Sequence, residues 1–535
     1  METDKDVIGF VSSSIAAPAN ESHFDFIIRK EYGSEVCSLN QFDLVKVERI
    51  LPSRKNAPLY AVIESVSSLT DSPDHMANYV SQNFGTGNGI GTPRTFFYSV
   101  SARVLRTDNG DFFPVKTGDK VFKVTAEEAY HVLYANYEEE KDDYFNVAKL
   151  RMYGETEFFL KLNKKYLVGP DAVHLNLSGM SGMASKTTKA LTILREMFHS
   201  GDDISIVIFN TKDNDLLHLK ATDDRNTWYQ ELESGRSDKW DDSIEYFRPL
   251  QKEDGEGYVL DFDTQRERLN IDLLTAMDPD TTGTMDSCVK LVYQHMAFVM
   301  GEDEKASDKH IDSWKTIRKA TFKNINKWIP PKFQRVVSRV ITDDSLINGI
   351  FYQKDNDKDD ITKKLRERLE NTGPCVTVID IAPLDNLQQG VVFGAVMREI
   401  KNYCREQQQK KEAKDRMRMA VFVDEFNKYA SMDVSPRDPI LESLIDIAEA
   451  GRNIGLCLVT AEQSLSIINR RIKANYSNQI IGRTGVLELA QPDFAIIPES
   501  YKTRIGTFRH GDALVYTTYL NSGLLYAEFP NKFYK

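Results

Sequence analysis

Lys186, Thr187, Asp424, Glu425 and Arg452 are the side chains of this 535-residue chain best suited to phosphate chemistry. The first two open a helical pattern (Leu191, Leu194, Phe198) after an apolar run (Val173, Leu175, Leu177) and a glycine-containing turn. A strand, a tight turn and Lys-Thr at a helix start are what a nucleoside triphosphate needs. Backbone N–H groups and the helix dipole cradle phosphate oxygens, an ammonium neutralises the terminal phosphates, and a hydroxyl ligates Mg2+. Gly179, Gly182, Ala184, Ser185, Lys186, Thr187 and Thr188 would then hold ATP, with Thr187 on the metal. The loop departs from the usual pattern, which places glycines at 180 and 185. This chain has Met180 and Ser185 there, and Gly179 makes the loop one residue longer. Side chains in it are expected to narrow the phosphate cradle.

The second motif, Val421-Phe422-Val423-Asp424-Glu425, is an apolar strand ending in two carboxylates. Asp424 is expected to hold the Mg2+ shell through water and Glu425 to polarise the attacking water, on a strand lying next to the P-loop strand. The third is Gly451-Arg452-Asn453-Ile454-Gly455, which follows a helical pattern and precedes the strand Leu456–Thr460. Its position suits a guanidinium that reaches the γ-phosphate of a neighbouring subunit, and Arg483 is a second trans-acting candidate. Gln463, at the C-terminal end of that strand, points toward the crevice where open α/β sheets bind ligands. A γ-phosphate sensor and a satisfied loop amide are both open readings for it.

The elements that must position these groups follow from pattern and composition. A chain this long exceeds one ordinary core and implies two to four domains. Hydrophobic content of 41% with 28% charged residues describes a globular protein, not a fibrous or disordered one. Residues 1–165 carry closely spaced β-branched and aromatic runs with turn signals, which predict a small closed β-barrel. An amphipathic helix is expected near 126–137. From 166 to 535, near-continuous apolar strands (173–178, 204–209, 376–381, 419–423, 456–460) alternate with helices, the pattern of a parallel α/β sheet. Residues 213–372 are charged and mostly helical and read as an insertion into that domain.

No apolar run approaches the roughly 20 residues that cross a bilayer. The charged start, Met-Glu-Thr-Asp-Lys-Asp, lacks a signal-peptide core, so no membrane partner and a cytoplasmic location are expected. Cys37, Cys288, Cys375, Cys404 and Cys457 are scattered and never spaced C-x-x-C, which favours reduced thiols, with Cys375 and Cys457 as small core residues. A net charge of -12 argues against a globally basic nucleic-acid binder but allows a basic channel. Lys315 to Arg339 holds eight basic residues, no acidic ones, and Trp328, and could meet phosphates or form a solvated helix face. Lys410 to Arg418, Asn469 to Lys473 and the 211–215 loop are further places where DNA could be tracked.

Three such segments in this order resemble the HerA-like branch of the HerA/FtsK motor ATPases, over most of the chain. Ile8-Gly9-Phe10-Val11 is similar to the start of that family's barrel, and Gly451-Arg452 to its Gly-Arg segment before the strand ending in Gln463. Phe508 to Val515 is similar to its closing strand. The resemblance implies a RecA-like core, ATP hydrolysis with Mg2+, a homo-oligomeric, typically hexameric ring, and movement along double-stranded DNA. It also implies an effector partner, such as a nuclease or a sirtuin-like NAD-degrading subunit, in DNA end processing or antiviral defence. An ATP-binding scaffold that activates an effector with little or no translocation is the alternative.

Overall fold

The computed structural model describes residues 7–530 apart from 29–37, 53–55, 71–73, 82–95, 108–109, 135–136, 155, 172, 202, 213–215, 221–238, 250–256, 259–359, 410–415, 435–437 and 522. Its first six strands are β1 (Val7–Ser12), β2 (His23–Ile28), β3 (Leu44–Glu48), β4 (Leu59–Thr70), β5 (Phe96–Thr107) and β6 (Lys120–Lys123). They close as an antiparallel barrel in the order β1-β2-β5-β4-β3-β6. Alternation decides the interior: Phe24, Phe26 and Ile28 of β2 are buried while His23, Asp25 and Ile27 are not. Gly9 is required where β1 crosses β2, because a Cβ there would stand 2.5 Å from the Ile27 carbonyl oxygen. The expected amphipathic helix covers Ala126–Leu133. Thr125 accepts from the Glu128 N–H while the Glu128 carboxylate accepts from the Thr125 N–H, a capping box.

The remaining strands form one eleven-stranded sheet: β7 (Tyr144–Met152), β8 (Thr156–Asn163), β9 (Leu175–Ser178), β10 (Ile204–Asn210), β11 (Ile244–Phe247), β12 (Val376–Asp380), β13 (Arg418–Asp424), β14 (Leu456–Glu462), β15 (Asn478–Ile481), β16 (Asp512–Thr517) and β17 (Leu524–Glu528). The order is β11-β12-β10-β13-β14-β9-β15-β16-β17-β7-β8. Pairing is parallel from β11 through β15 and antiparallel from β15 through β8. This is the expected α/β class, a RecA-like core beside a β-barrel. The barrel closes on itself through β1 and β6, so it has no edge for another strand. The β7–β8 hairpin therefore pairs with β17 of the large sheet, although the sequence reading grouped it with the barrel.

Both faces of the parallel strands are buried, and period-two alternation sends their side chains to two separate cores. Ala420 and Phe422 of β13, with Val459 and Ala461 of β14, pack under the helix Lys186–His199. Val421, Val423 and Leu458 pack on the opposite side with the helices Asn386–Gln407 and Pro439–Ile454. Cys375, Cys404 and Cys457 are free and buried. Of the expected helical insertion, residues 213–215, 221–238, 250–256 and 259–359 lie outside the described residues, as does the basic stretch 315–339. Its described part includes the helices Lys239–Ser243 and Ile361–Asn371, and β11, a four-residue strand on the sheet's edge. That strand stands within an insertion expected to be mostly helical. Only β12 supports it, so it is short and half-buried, and its apolar signal is weak.

His174 ties the start of β9 to its neighbours. It is fully buried with φ +73°, Nδ1 accepts the Leu458 N–H at 2.9 Å, and Nε2 lies 3.0 Å from the Ala448 carbonyl oxygen. Because Nδ1 accepts, the ring proton sits on Nε2 and is donated to Ala448. Burial pulls the imidazole down to about 4. A depressed folded pKa contributes stability that is present above about pH 6.5 and lost as pH falls toward 4, about 3 kcal/mol at most. His174→Asn keeps a residue tolerant of positive φ and cannot protonate. Its melting temperature should therefore fall less than that of the wild type between pH 7 and pH 4, as measured by thermal unfolding. Parallel curves would mean that His174 takes up its proton in the fold as readily as in the unfolded chain.

Candidate functional site

The C-terminal ends of the parallel strands bring Lys186, Thr187, Asp424 and Glu425 to one edge of the sheet. The turn after β9 places Gly179 at φ +142°, Gly182 at φ +71° and Ser185 at φ +50° before the helix begins at Lys186. The extra residue is absorbed by a tight turn in which the Met183 and Ala184 N–H groups both donate to the Met180 carbonyl. Met180 and Met183 are exposed, so the longer loop turns its bulk outward. The expected narrowing of the cradle is thus not met by these two side chains. The loop is fastened at its ends: the Gly179 N–H donates to Glu462 O at 3.3 Å and the Met180 N–H to Arg483 O at 2.8 Å. Behind it, Lys189 donates to the carbonyls of Ala184 (2.6 Å) and Asp512 (2.8 Å), and burial pushes its ammonium down to about 7.

Lys186 Nζ donates to Gly179 O at 2.8 Å, and burial lowers its pKa against the attraction of Asp424, Glu462 and Glu425. Thr187 Oγ1 donates to Asp424 Oδ2 at 2.9 Å. Burial raises the Asp424 carboxyl, opposed by that hydrogen bond and by Lys186. Glu425 sits in the left-handed region at φ +50°, with its N–H donating to Asp424 Oδ1 at 2.9 Å. A non-glycine residue there costs about 1 kcal/mol or more. Its carboxylate is half exposed and 3.8 Å from Lys212 Nζ. Lys212, expected in a DNA-tracking loop, therefore adjoins the acid pair, and residues 213–215 of that loop lie outside the described residues.

The arrangement departs from the sequence expectation in strand order. The acid strand β13 is not next to β9, because β14 lies between them. Gln463 is exposed, and the residue at the sheet's interior is its neighbour Glu462, fully buried. Successive residues of a strand face opposite ways, so an exposed amide and a buried acid stand side by side at the end of β14. Arg483 follows β15, the other neighbour of β9, and its backbone carbonyl accepts the Met180 N–H of the loop after β9. Arg452 ends the helix Pro439–Ile454, at the opposite end of β14 from Glu462, roughly 20 Å away along the strand. The glycines around it serve packing and capping. A Cβ on Gly451 would stand 2.5 Å from Leu456 O and 2.7 Å from the His174 ring, and Gly455 is the left-handed helix cap at φ +68°.

Glu462 was missed by sequence reading. Asn176 Nδ2 donates to its Oε1 and lies 3.3 Å from Thr460 Oγ1. Burial pushes the carboxyl well above its usual range, with Lys186 pulling the other way. Glu462 Oε2, Asn176 Oδ1 and Ser178 Oγ are buried without hydrogen-bond partners among the described residues. The signal available was a charged residue ending an otherwise apolar strand, one position before the amide that was chosen. Among the basic clusters, Arg471 is paired with Glu449 (2.8 and 2.9 Å) and Lys473 with Asp493 (2.7 Å). Lys410, Lys411 and Lys414 lie outside the described residues.

No family model and no curated protein matches the sequence. Solved structures do match the chain path. VirB4 of Thermoanaerobacter pseudethanolicus is 12% identical with a TM-score of 0.44, covering 72% of this chain and 96% of its own. The bacterial conjugative coupling protein TrwB is 14% identical with a TM-score of 0.43, covering 67% and 85%. The genome-packaging NTPase B204 from Sulfolobus turreted icosahedral virus 2, in complex with ATP-gammaS, is 16% identical with a TM-score of 0.22, covering 31% and 72%. Among the described residues, no helix is long and apolar enough to cross a membrane.

Two measurements test this geometry. Gly482 faces the loop so closely that an added Cβ would stand 2.7 Å from the Ala184 methyl. Gly482→Ala should therefore weaken binding of a fluorescent ATP analogue about tenfold or more, and Ala184→Gly added to it should recover part of the loss. Glu462 has a raised folded pKa, so its neutral form stabilises the fold at low pH and that contribution fades as pH rises. Glu462→Gln should melt above the wild type by a margin that grows from pH 5 to pH 8. A margin independent of pH would show that Glu462 is already ionised in the fold.

Proposed function

We propose that this chain is an ATP-hydrolysing, ring-forming DNA translocase of the HerA type, acting with a nuclease or other effector in antiviral defence or DNA end processing. The observation that carries the ATPase part is the Thr187–Asp424 hydrogen bond at 2.9 Å, with Lys186 set among Asp424, Glu425 and Glu462. A hydroxyl in the first turn of a helix and a carboxylate at the end of a strand meet at a helix N-terminus whose first amides are open to phosphate oxygens. In this reading the backbone of Gly179 to Thr188 cradles the triphosphate, and Lys186 leaves Gly179 O to neutralise its terminal phosphates. Mg2+ fits this donor set: Thr187 would hold it, with Asp424 through water, and it would supply charge neutralisation of phosphate oxygens. Glu425 accepts a proton from the water that attacks the γ-phosphorus, and the bond to the β-phosphate oxygen breaks to release ADP.

Arg452 cannot serve its own site from the far end of β14, and it supplies the guanidinium to a neighbouring copy. Arg483 is the second candidate for that trans-acting guanidinium. Gln463, exposed at the C-terminal end of β14, is read as the γ-phosphate sensor. In this reading residues 1–165 are the β-barrel domain and 166–535 the ATPase domain, with 213–372 as an insertion. The DNA-translocating part and the hexameric ring rest on the sequence resemblance. The alternative, an ATP-binding scaffold that assembles an effector without translocating, is favoured by one observation. Two of the basic residues in 470–473 are held in ion pairs and not left for phosphates.

ATP hydrolysis with and without duplex DNA separates the two. DNA should stimulate the wild type, and Lys186→Ala or Glu425→Gln should lower turnover about a hundredfold or more, with Glu425→Gln still binding ATP. Arg452→Ala should be inactive alone and regain activity when mixed with Glu425→Gln subunits. Assembly and ATP binding without DNA stimulation would replace the translocase by the scaffold. A chain that binds no ATP would end both.

A further inference from the structure

Ser185 is an unusual helix N-cap. Its backbone is left-handed, at φ +50° and ψ +36°, and its side chain makes no capping hydrogen bond. A serine at this position ordinarily adopts extended backbone and accepts the N–H of the second or third helical residue. Here those residues are Thr187 and Thr188, whose amides are among the donors assigned above to phosphate. The hydroxyl is instead turned to the other side of the loop, where Ser185 Oγ lies 2.9 Å from His510 Nδ1.

His510 is held in a built turn ahead of β16. The Arg509 N–H donates to Asp512 Oδ2 at 2.7 Å, Tyr526 Oη donates to Asp512 Oδ1 at 2.8 Å, and the Phe529 N–H donates to Gly511 O at 2.9 Å. Gly511 has φ +92° and no room for a side chain, since a Cβ would stand 2.8 Å from Phe529 O. Lys189 bridges the same turn to the loop through Asp512 O and Ala184 O. The histidine is thus carried by a part of the fold that contacts the P-loop at two points.

We propose that His510 is a positioning residue for the nucleotide: it holds the Ser185 hydroxyl away from the helix N-terminus, so that the Thr187 and Thr188 amides stay available to phosphate. This rests on the nucleotide reading above and adds a residue outside its three motifs. It also accounts for a serine where the loop pattern has glycine. The hydroxyl that would compete with phosphate is sequestered by a partner 325 residues away.

A double-mutant cycle on affinity for a fluorescent ATP analogue tests it. His510→Ala frees the hydroxyl to cap the helix and should weaken binding about fivefold, the worth of one N-cap hydrogen bond. His510→Asn, which can still pair with the hydroxyl, should recover most of that loss. Ser185→Gly sets its own baseline, and His510→Ala added to it should change nothing further, because no hydroxyl remains to be diverted. An equal loss in both backgrounds would overturn the proposal by showing that His510 acts independently of Ser185. No loss in either would show that the pair is idle. If the wild type itself bound no analogue, the nucleotide reading would fall first, an outcome distinct from the other two.

Discussion

The hydrogen bond from Thr187 to Asp424 joins the start of a helix to the end of a strand two places away in the sheet. It can form only if β13, β14 and β9 are parallel, in register, and end at the same level. That demand runs through the whole core. Val459 pairs with both Phe422 and Leu175, and Ala461 with both Asp424 and Leu177, so one strand sets the level for its two neighbours. Every residue of β14 is buried, because a strand with a neighbour on each edge and a helical layer on each face has no solvent side.

Burial at this junction makes its charges interdependent. Lys186 is attracted by Asp424, Glu462 and Glu425, while desolvation alone disfavours the charged form of each buried group. Lys186 satisfies itself on Gly179 O, and Glu462 takes a hydrogen bond from Asn176. Buried polar atoms left without partners stand directly beneath the loop, at Glu462, Asn176 and Ser178. An unsatisfied buried group costs about 1–3 kcal/mol, so this edge of the sheet is less stable than an apolar one of the same shape. The middle of β10, at Ile206, Val207 and Ile208, is apolar and carries no such cost.

Close approach does the rest of the positioning. Gly179 and Gly482 both sit against Ala184, at distances that exclude a Cβ on either. The loop is thereby pressed onto the ends of β9 and β15, with Met180 and Met183 turned out. On its other side the C-terminal strands reach it through Lys189 and His510. At the far end of the sheet, His174 plays the corresponding part, filling the space that Gly451 leaves and accepting the Leu458 N–H.

Local pattern alone determined the strand-turn-helix around Lys186, the acid-terminated strand, the apolar parallel strands, the early β-barrel and the helix from Ala126. These depend on periodicity, turn residues and caps that act within a few positions of one another. What only the tertiary structure decided is who stands beside whom. The interposed β14, the burial of Glu462 beside Gln463 and the contact of the Arg483 carbonyl with the loop follow from strand order and pleat, which no single segment encodes. The β7–β8 hairpin joined the large sheet because a closed barrel offers no edge. His510 meets Ser185 across 325 residues, a distance at which sequence spacing carries no signal and packing carries all of it.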